Sequence, residues 1–411
     1  MNTTIQNTTK YKNSPLGLIP VDWEVKTLGD FGSFTKGKGI TKEQLSETGF
    51  NCIRYGEIYT THDYIIKKFT SFIDESVALI SKEIKKGDIL FAGSGETIEE
   101  IGKAVAYLGD EKAFAGGDVI ILNTNNINVE CLSYALEIDV VKKQKRVLGQ
   151  GNSVVHIYSK DLSKLKLPIP PLPEQKAIAD CLSTWDKAIE KQNALIAQKE
   201  LSKKALGQKL LTGKLRIKKF ENEKWIELKA DKIFRNNTDK SHNGELEILS
   251  ASQERGIVSR SSNNIDIKYD ENSLVSYKKV EVGDYVISLR SFQGGIEYSE
   301  YEGIVSPAYT ILKEIVPISK VFYKVYFKTE TFINRLNTII YGIRDGKQIS
   351  FKDFATLKIP YPSIDEQNAI ANVLHCADAE LQLLKSKLSQ LKEQKKGMMQ
   401  VLLTGKKRLK Y

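Results

Sequence analysis

From residue 370 onward, one side of the chain recurs at alternating steps of four and three: Ile370, Leu374, Ala377, Leu381, Leu384, Leu388, Leu391, Lys395, Met398 and Leu402. That spacing keeps a single stripe facing the same way over many helical turns, the pattern of a coiled-coil seam. An earlier stretch takes the same steps with more polar interruptions: Ile178, Leu182, Trp185, Ile189, Gln192, Ile196, Lys199, Lys203, Leu206 and Leu210. The flanks carry helix boundaries. PIPPLP at 168–173 blocks a helix upstream, and Glu174 and Asp365-Glu366 set negative charge at the positive end of the helix dipole. Gly213 and Gly405 stand where C-terminal caps belong. Each helix is thus about 38 residues, or about 57 Å at 1.5 Å per residue.

The two stretches are copies. Residues 161–214 laid over 353–406 at a constant offset of 192 share 21 identities in 54 positions, ending in LLTGK both times. Repeats at this distance imply a duplicated architecture. The segments between the helices are less alike and read differently. Short β-branched and aromatic runs are broken by Gly, Asn and Asp, as in mixed, strand-rich folds. Trp23 and Trp225 open the two segments. KKGDILFAGSG (85–95) answers EVGDYVISLRS (281–291), and AGGDVIILNT (115–124) answers GIVSPAYTILK (303–313). Helices are expected at Glu130–Lys143 and Val321–Thr338, and the first 14 residues are expected to be disordered. The expected fold is α+β: two strand-rich domains (15–171 and 215–362), each followed by a long helix (172–214 and 363–406), in a pseudo-twofold repeat.

Charge adds an orientation. The early half of each helix is acid-rich (Glu174, Asp180, Asp186, Glu190; Asp365, Glu366, Asp378, Glu380) and the late half is basic. Antiparallel pairing sets opposite charges together at both ends, so an antiparallel intramolecular coiled coil is expected. The net charge of +10 is concentrated in 187–219 and 385–411, each with a balance of +8, so the globular parts are not uniformly basic. Any contact they make with a polyanion comes from local patches. The four cysteines, Cys52, Cys131, Cys181 and Cys376, have neither metal nor disulfide-frame spacing. With no apolar run that could span a bilayer and no leader-like start, a cytoplasmic protein with reduced thiols is expected.

Catalytic motifs are thin. GSFTKGKG (32–39) nearly matches a phosphate-binding loop, but Gly39 replaces the magnesium-binding hydroxyl. It reads as a basic glycine-rich turn. FAGSG (91–95) resembles a loop of AdoMet-dependent methyltransferases, without the Asn/Asp-Pro-Pro-aromatic partner motif. His62, His156, His242 and His375 have no metal spacing. Side chains suited to base edges and phosphates gather instead in the loops. The candidates are Lys36, Lys38, Arg54, Ser94, Arg146, Gln150 and Asn152 in the first domain, and Arg255, Arg260, Arg290, Gln293, Arg344, Lys347 and Gln348 in the second.

Two variable domains, each followed by a helix that begins PxPxxxEQxxIAxxL and ends LLTGK, resemble the specificity (S, HsdS) subunit of type I restriction–modification systems. The resemblance runs from about residue 15 to 406 and includes Trp23, Trp225, Gly87-Asp88 and Gly283-Asp284. It departs in the polar seam of the first helix. The resemblance implies a subunit that is not itself an enzyme. Each domain would be a target recognition domain reading one half of a split, asymmetric site in double-stranded DNA. The coiled coil would set the gap, its ~57 Å matching about 16 base pairs. Two modification (M) subunits would dock and methylate adenine N6 with AdoMet. Restriction (R) subunits, using ATP and Mg2+, are a further partner, and no cofactor or metal is expected on this chain. Two other readings compete. One is a self-contained N6-adenine methyltransferase or nuclease, which needs a tetrapeptide or acidic metal cluster not found here. The other is a coiled-coil adaptor without a DNA role, which predicts no salt-dependent DNA affinity.

Overall fold

The computed structural model describes residues 10–151, 154–253, 255–260, 271–339 and 349–409. The chain divides into two units, Met1–Asn193 with Lys387–Tyr411, and Ala194–Ser386. Each long helix therefore contributes one part to each unit. The helices run Leu172–Leu211 and Ile364–Leu402, 40 and 39 residues.

In the first unit, a five-stranded sheet has the order Gly32–Lys36, Val119–Thr124, Asp88–Ala92, Ala104–Tyr107, Ile65–Ile66. It is antiparallel except for its last pair. Alternation along the strands fills two cores. Ile89, Phe91, Ala104, Ala106, Ile120 and Leu122 join the core that contains the helices. Leu90, Ala92, Val105, Tyr107, Val119 and Ile121 face a second core with Ile53 and Ile84, from the neighbouring five-stranded sheet. Burial on both faces explains why these strands read as near-continuous apolar runs.

The second unit repeats the central strands. Phe234–Asn237, Thr310–Glu314 and Tyr285–Ile287 are adjacent in the same order as Gly32–Lys36, Val119–Thr124 and Asp88–Ala92. Here Tyr285, Ile287 and Leu312 face an aromatic core built on Phe234, Phe322, Tyr323, Phe327 and Phe332, while Val286 and Ile311 face a smaller cluster. In both units a short strand near the domain opening pairs with the strand leading into the long helix: Glu24–Thr27 with Lys166–Ile169, and Ile226–Lys229 with Lys358–Tyr361.

The helices pack antiparallel within each unit. In the first, Ile178 and Leu182 share a core with Met399, Leu402 and Leu403. In the second, Leu210 and Leu211 share one with Ile370 and Leu374. Three ion pairs meet as the charge pattern predicts: Lys199 with Glu380 at 2.6 Å, Lys203 with Asp378, and Lys395 with Asp186 at 2.6 Å, while Lys385 pairs with Glu200, an acid of the first helix's late half, at 2.6 Å. Among the seam residues, Ile178, Leu182, Ile189, Ile196, Leu210, Ile370, Leu374, Leu381 and Leu402 are buried. Trp185, Leu206, Leu384, Leu388, Leu391 and Met398 are half-buried.

Three local expectations are corrected. Each shorter helix is two. Val129–Ala135 is followed by Asp139–Leu148, and Lys320–Tyr326 by Glu330–Thr338. The first break turns Glu137 inward to pair with Lys145 at 2.9 Å and buries Ile138. Burial opposes ionisation of Glu137, but Lys145 and Lys142 hold its carboxyl below the usual range. The second break is made by Thr329, whose hydroxyl caps the next helix through the Phe332 N–H. The first 14 residues are not wholly without structure: Tyr11–Ser14 pairs with Gly17–Pro20, and the Tyr11 hydroxyl donates to the Gly405 carbonyl at 3.1 Å. Finally, the glycine-rich turn expected over GSFTKGKG is confined to its end, because Gly32–Lys36 is a sheet strand paired with Val119–Thr124.

Candidate nucleic-acid interface

Strand register divides each central sheet into two ends. In the first unit, Gly32, Thr124 and Asp88 lie at the end that leads on to the helix at Val129. Lys36, Ala92 and Val119 lie at the other end, where the chain leaves for its irregular insertions. In the second unit, Phe234 and Glu314 mark the helix-proximal end, while Asn237, Ile287 and Thr310 mark the far one. The segments that differ between the units depart from these far ends.

The far end of the first unit collects several candidates. The Lys38 N–H donates to Ala115 O and the Gly117 N–H to Gly39 O, both at 3.0 Å, which brings the two glycine-containing turns together. Arg54, Thr41, Lys42, Gly39, Gly116 and Gly117 line a cavity of about 610 Å3. Arg54 Nε finds no hydrogen-bond acceptor among the described residues and lies 3.8 Å from Glu57. Lys36 is exposed and 3.5 Å from Asp118. Asp118 also borders an adjoining cavity of about 320 Å3, lined by Lys36, Ser94, His156 and Tyr158. Ser94 is buried, and its hydroxyl is taken up by His156 Nδ1 at 3.0 Å. Two backbone hydrogen bonds hold Gln150 to His156, so Gln150 belongs to the same end. Arg146 is not part of the group; its Nε donates to the Glu99 carbonyl at 3.5 Å.

In the second unit, Gln253 joins two of the candidates. Its Nε2 donates to the Arg290 carbonyl at 3.3 Å and to Gln293 Oε1 at 3.4 Å. Arg255 follows on the turn between Leu249–Ser252 and Gly256–Ser259, and Arg260 ends that hairpin. Arg255, Arg290 and Gln293 are exposed, while Arg260 is half-buried. Asn152, Arg344, Lys347 and Gln348 lie outside the described residues. Gln253, Thr41, Lys42, His156 and Tyr158 were not among the candidates. Nothing local in the sequence marks them, because the folding of separate insertions brings them to these positions.

A second group of functional side chains holds each domain to its helix. Glu174 is fully buried. It accepts from Trp23 Nε1 at 2.9 Å and from Arg408 Nε and a terminal guanidinium nitrogen at 2.6 and 2.7 Å. Glu366 repeats this with Trp225 at 2.7 Å and Arg216 at 2.7 and 2.8 Å. Gln175 accepts from the Asn128 N–H and donates to Pro170 O, and Gln367 does the same with Ser319 and Pro362. The Glu-Gln pair therefore acts as an anchor, beyond the dipole effect assigned to its acid. The arginines were missed because both lie just past the LLTGK that ends the repeat.

No group of three or more His, Cys, Asp or Glu side chains that could hold a metal occurs among the described residues. Burial pushes the Cys52 and Cys131 thiols up to about 12, so neither is a thiolate nucleophile at neutral pH. No helix among the described residues is long and apolar enough to cross a membrane.

The chain is similar to the type I restriction enzyme MjaVIII specificity subunit of Methanocaldococcus jannaschii, 27% identical over 426 residues, covering 95% of this chain and 94% of that one. A solved HsdS subunit from Thermoanaerobacter tengcongensis shares its fold at a TM-score of 0.51, 17% identity, and coverage of 94% and 98%. A chain from a structure describing complex assembly and conformational transition of the type I R-M system reaches a TM-score of 0.63 at 16% identity, covering 94% of this chain and 99% of that one. The type I restriction modification DNA specificity domain matches twice, over residues 20–198 and 217–393. With both halves of its duplicated frame matched in this way, the chain belongs to the type I restriction–modification DNA specificity family.

Proposed function

We propose that this chain is the non-catalytic recognition subunit of a type I restriction–modification complex, in which each globular domain reads one half of a gapped, two-part site in double-stranded DNA. The long helices set the spacing of the half-sites and dock two modification subunits. AdoMet, ATP and Mg2+ act on the partner chains, restriction subunits included. One observation carries this reading. The two units repeat the same strand order and the same Trp–Glu–Arg anchor, yet differ in the segments leaving the far ends of their sheets. A repeated frame with two different tips fits a reader of two different half-sites. The tips supply Lys, Arg and Gln, which suit phosphates and base edges. A helix of 40 residues measures about 60 Å, comparable to about 18 base pairs.

Co-expression with candidate modification subunits, followed by methylome sequencing, tests the proposal. The expected result is N6-methyladenine at one gapped, asymmetric motif. A stable complex that methylates nothing would leave the docking role but sink DNA reading by these domains. AdoMet-dependent methylation by the isolated chain would overturn its assignment as non-catalytic.

A further inference from the structure

At one pair of equivalent positions the halves of the duplicated frame differ in how the space is filled. In the first unit, Lys395 is packed among aromatic rings. Its Nζ lies 3.8 Å from the Tyr64 ring centroid and 4.7 Å from that of Tyr134. It also pairs with Asp186 at 2.6 Å, and Asp186 accepts from the Tyr134 hydroxyl at 2.6 Å. The Lys395 side chain is 4% exposed and that of Asp186 14%. Met399, one turn further on, is buried in the same core.

The equivalent positions of the second unit keep the ion pair and lose the filling. Lys203 and Asp378, offset by 192 from Lys395 and Asp186, again form a pair. Gly207 stands in place of Met399, and Val325 in place of Tyr134 in the equivalent short helix. Among the described residues, no aromatic ring lies over Lys203 as Tyr64 lies over Lys395. The Lys203 and Asp378 side chains are 30% and 51% exposed. What remains is an open cavity of about 520 Å3, with Leu374 and Leu381 in its lining and Lys203 and Asp378 at its side. Leu374 and Leu381 are buried and, with Leu211 and Val325, give the cavity apolar surface beside the pair, while Glu200, Lys204, Lys328, Glu330 and Lys385 also border it.

The first unit thus displays what this frame accepts at the site: an aromatic ring laid over a lysine ammonium that a carboxylate holds in place. We infer that the cavity at Gly207, Val325 and Lys203 receives an aromatic side chain from a docked modification subunit. The inference rests on the docking role proposed above. The ring would gain a cation–π contact with Lys203 and shed water against Leu374 and Leu381. A phenol could also donate to Asp378, as Tyr134 does to Asp186. The first unit fills its own copy of the site, so the two halves would hold their partners differently.

Gly207 permits a direct test. It is helical, and an added Cβ would make only an ordinary contact with Leu374, at 3.4 Å. Gly207→Met restores the side chain of the other half and fills the cavity. Val325→Tyr is a second, independent filling. Titrating the full chain with p-cresol should shift the Leu374, Leu381 and Val325 methyl resonances, and Gly207→Met should abolish those shifts while raising Tm. In pull-down and calorimetry, Gly207→Met should bind the modification subunit at least tenfold more weakly. Absence of p-cresol shifts in the unmodified chain overturns the inference. So does unchanged partner affinity in both filled variants, with docking itself left intact. An unmodified chain that binds no modification subunit overturns the docking role and this inference together.

Discussion

Arg408 grips Glu174 through two nitrogens at 2.6 and 2.7 Å, although 234 residues separate them in sequence. The carboxylate is fully buried, and Trp23 Nε1 supplies a third donor. A buried carboxylate with three donors is satisfied, whereas one deprived of its cation is not. Arg408→Ala should therefore destabilise the first unit by roughly 3–5 kcal/mol. Urea unfolding followed by Trp23 fluorescence would measure it. A loss below about 1 kcal/mol would show that the pair is not the anchor.

The glycines that end the long helices should differ in their tolerance of alanine. Gly213 and Gly405 have φ of +69° and +72°, so either substitution should cost about 1–2 kcal/mol in left-handed strain. At Gly405 an added Cβ would also lie 2.3 Å from Pro20 Cδ, whereas at Gly213 the nearest atom is on Trp225 at 3.3 Å. Gly405→Ala should lower Tm more than Gly213→Ala. Equal losses would mean that Pro20 moves aside freely.

Acid should loosen the same anchor. The hydrogen bond from Arg408 holds the Asp22 carboxyl below its ordinary value of 3.8. A depressed folded-state value gives stability that is present above the unfolded value and lost as pH falls through the folded one. Asp22→Asn should therefore be less stable than the unmodified chain near neutral pH, with the difference shrinking below about pH 3.8. Urea midpoints across that range would show it. A difference independent of pH would rule out the charge as its source.

The two seam lysines should separate buried from exposed pairing. Lys395 is enclosed by Tyr64, Tyr134 and Asp186, while Lys203 is partly open beside Asp378. Lys395→Ala should cost roughly 3 kcal/mol or more, because it leaves Asp186 without its cation. Lys203→Ala should cost about 0–1 kcal/mol. Parallel denaturation curves give the comparison, and equal costs would contradict the difference in burial.

DNA binding should be divisible between the tips. Arg54→Ala should weaken contact with one half-site and Arg290→Ala with the other. If each removes one phosphate contact, the salt dependence of binding should fall by about one unit of slope. Fluorescence anisotropy on DNA carrying a single altered half-site would read this. Either substitution acting equally through both half-sites would contradict separate reading.

The long helices, their duplication and their antiparallel orientation are legible in the sequence for one reason. Side chains three and four residues apart meet on a helix whatever surrounds it, so the Ile370-to-Leu402 stripe and the acid-to-base gradient are local information. Short-range patterns also mark the Gly-Asp strands, where Asp88 and Asp284 each accept from the backbone N–H three residues earlier. Tertiary structure alone decided the rest. The Glu174 and Glu366 anchors require partners from the far side of a domain. The helix breaks at Glu137 and Thr329 depend on burial of a charge and on a cap that periodicity does not register. The meaning of Gly207 depends on Tyr64, a residue more than a hundred positions away in the other half of the duplicated frame. Sequence spacing constrains neighbours along the chain; which distant side chains share a volume is settled only when the chain has packed.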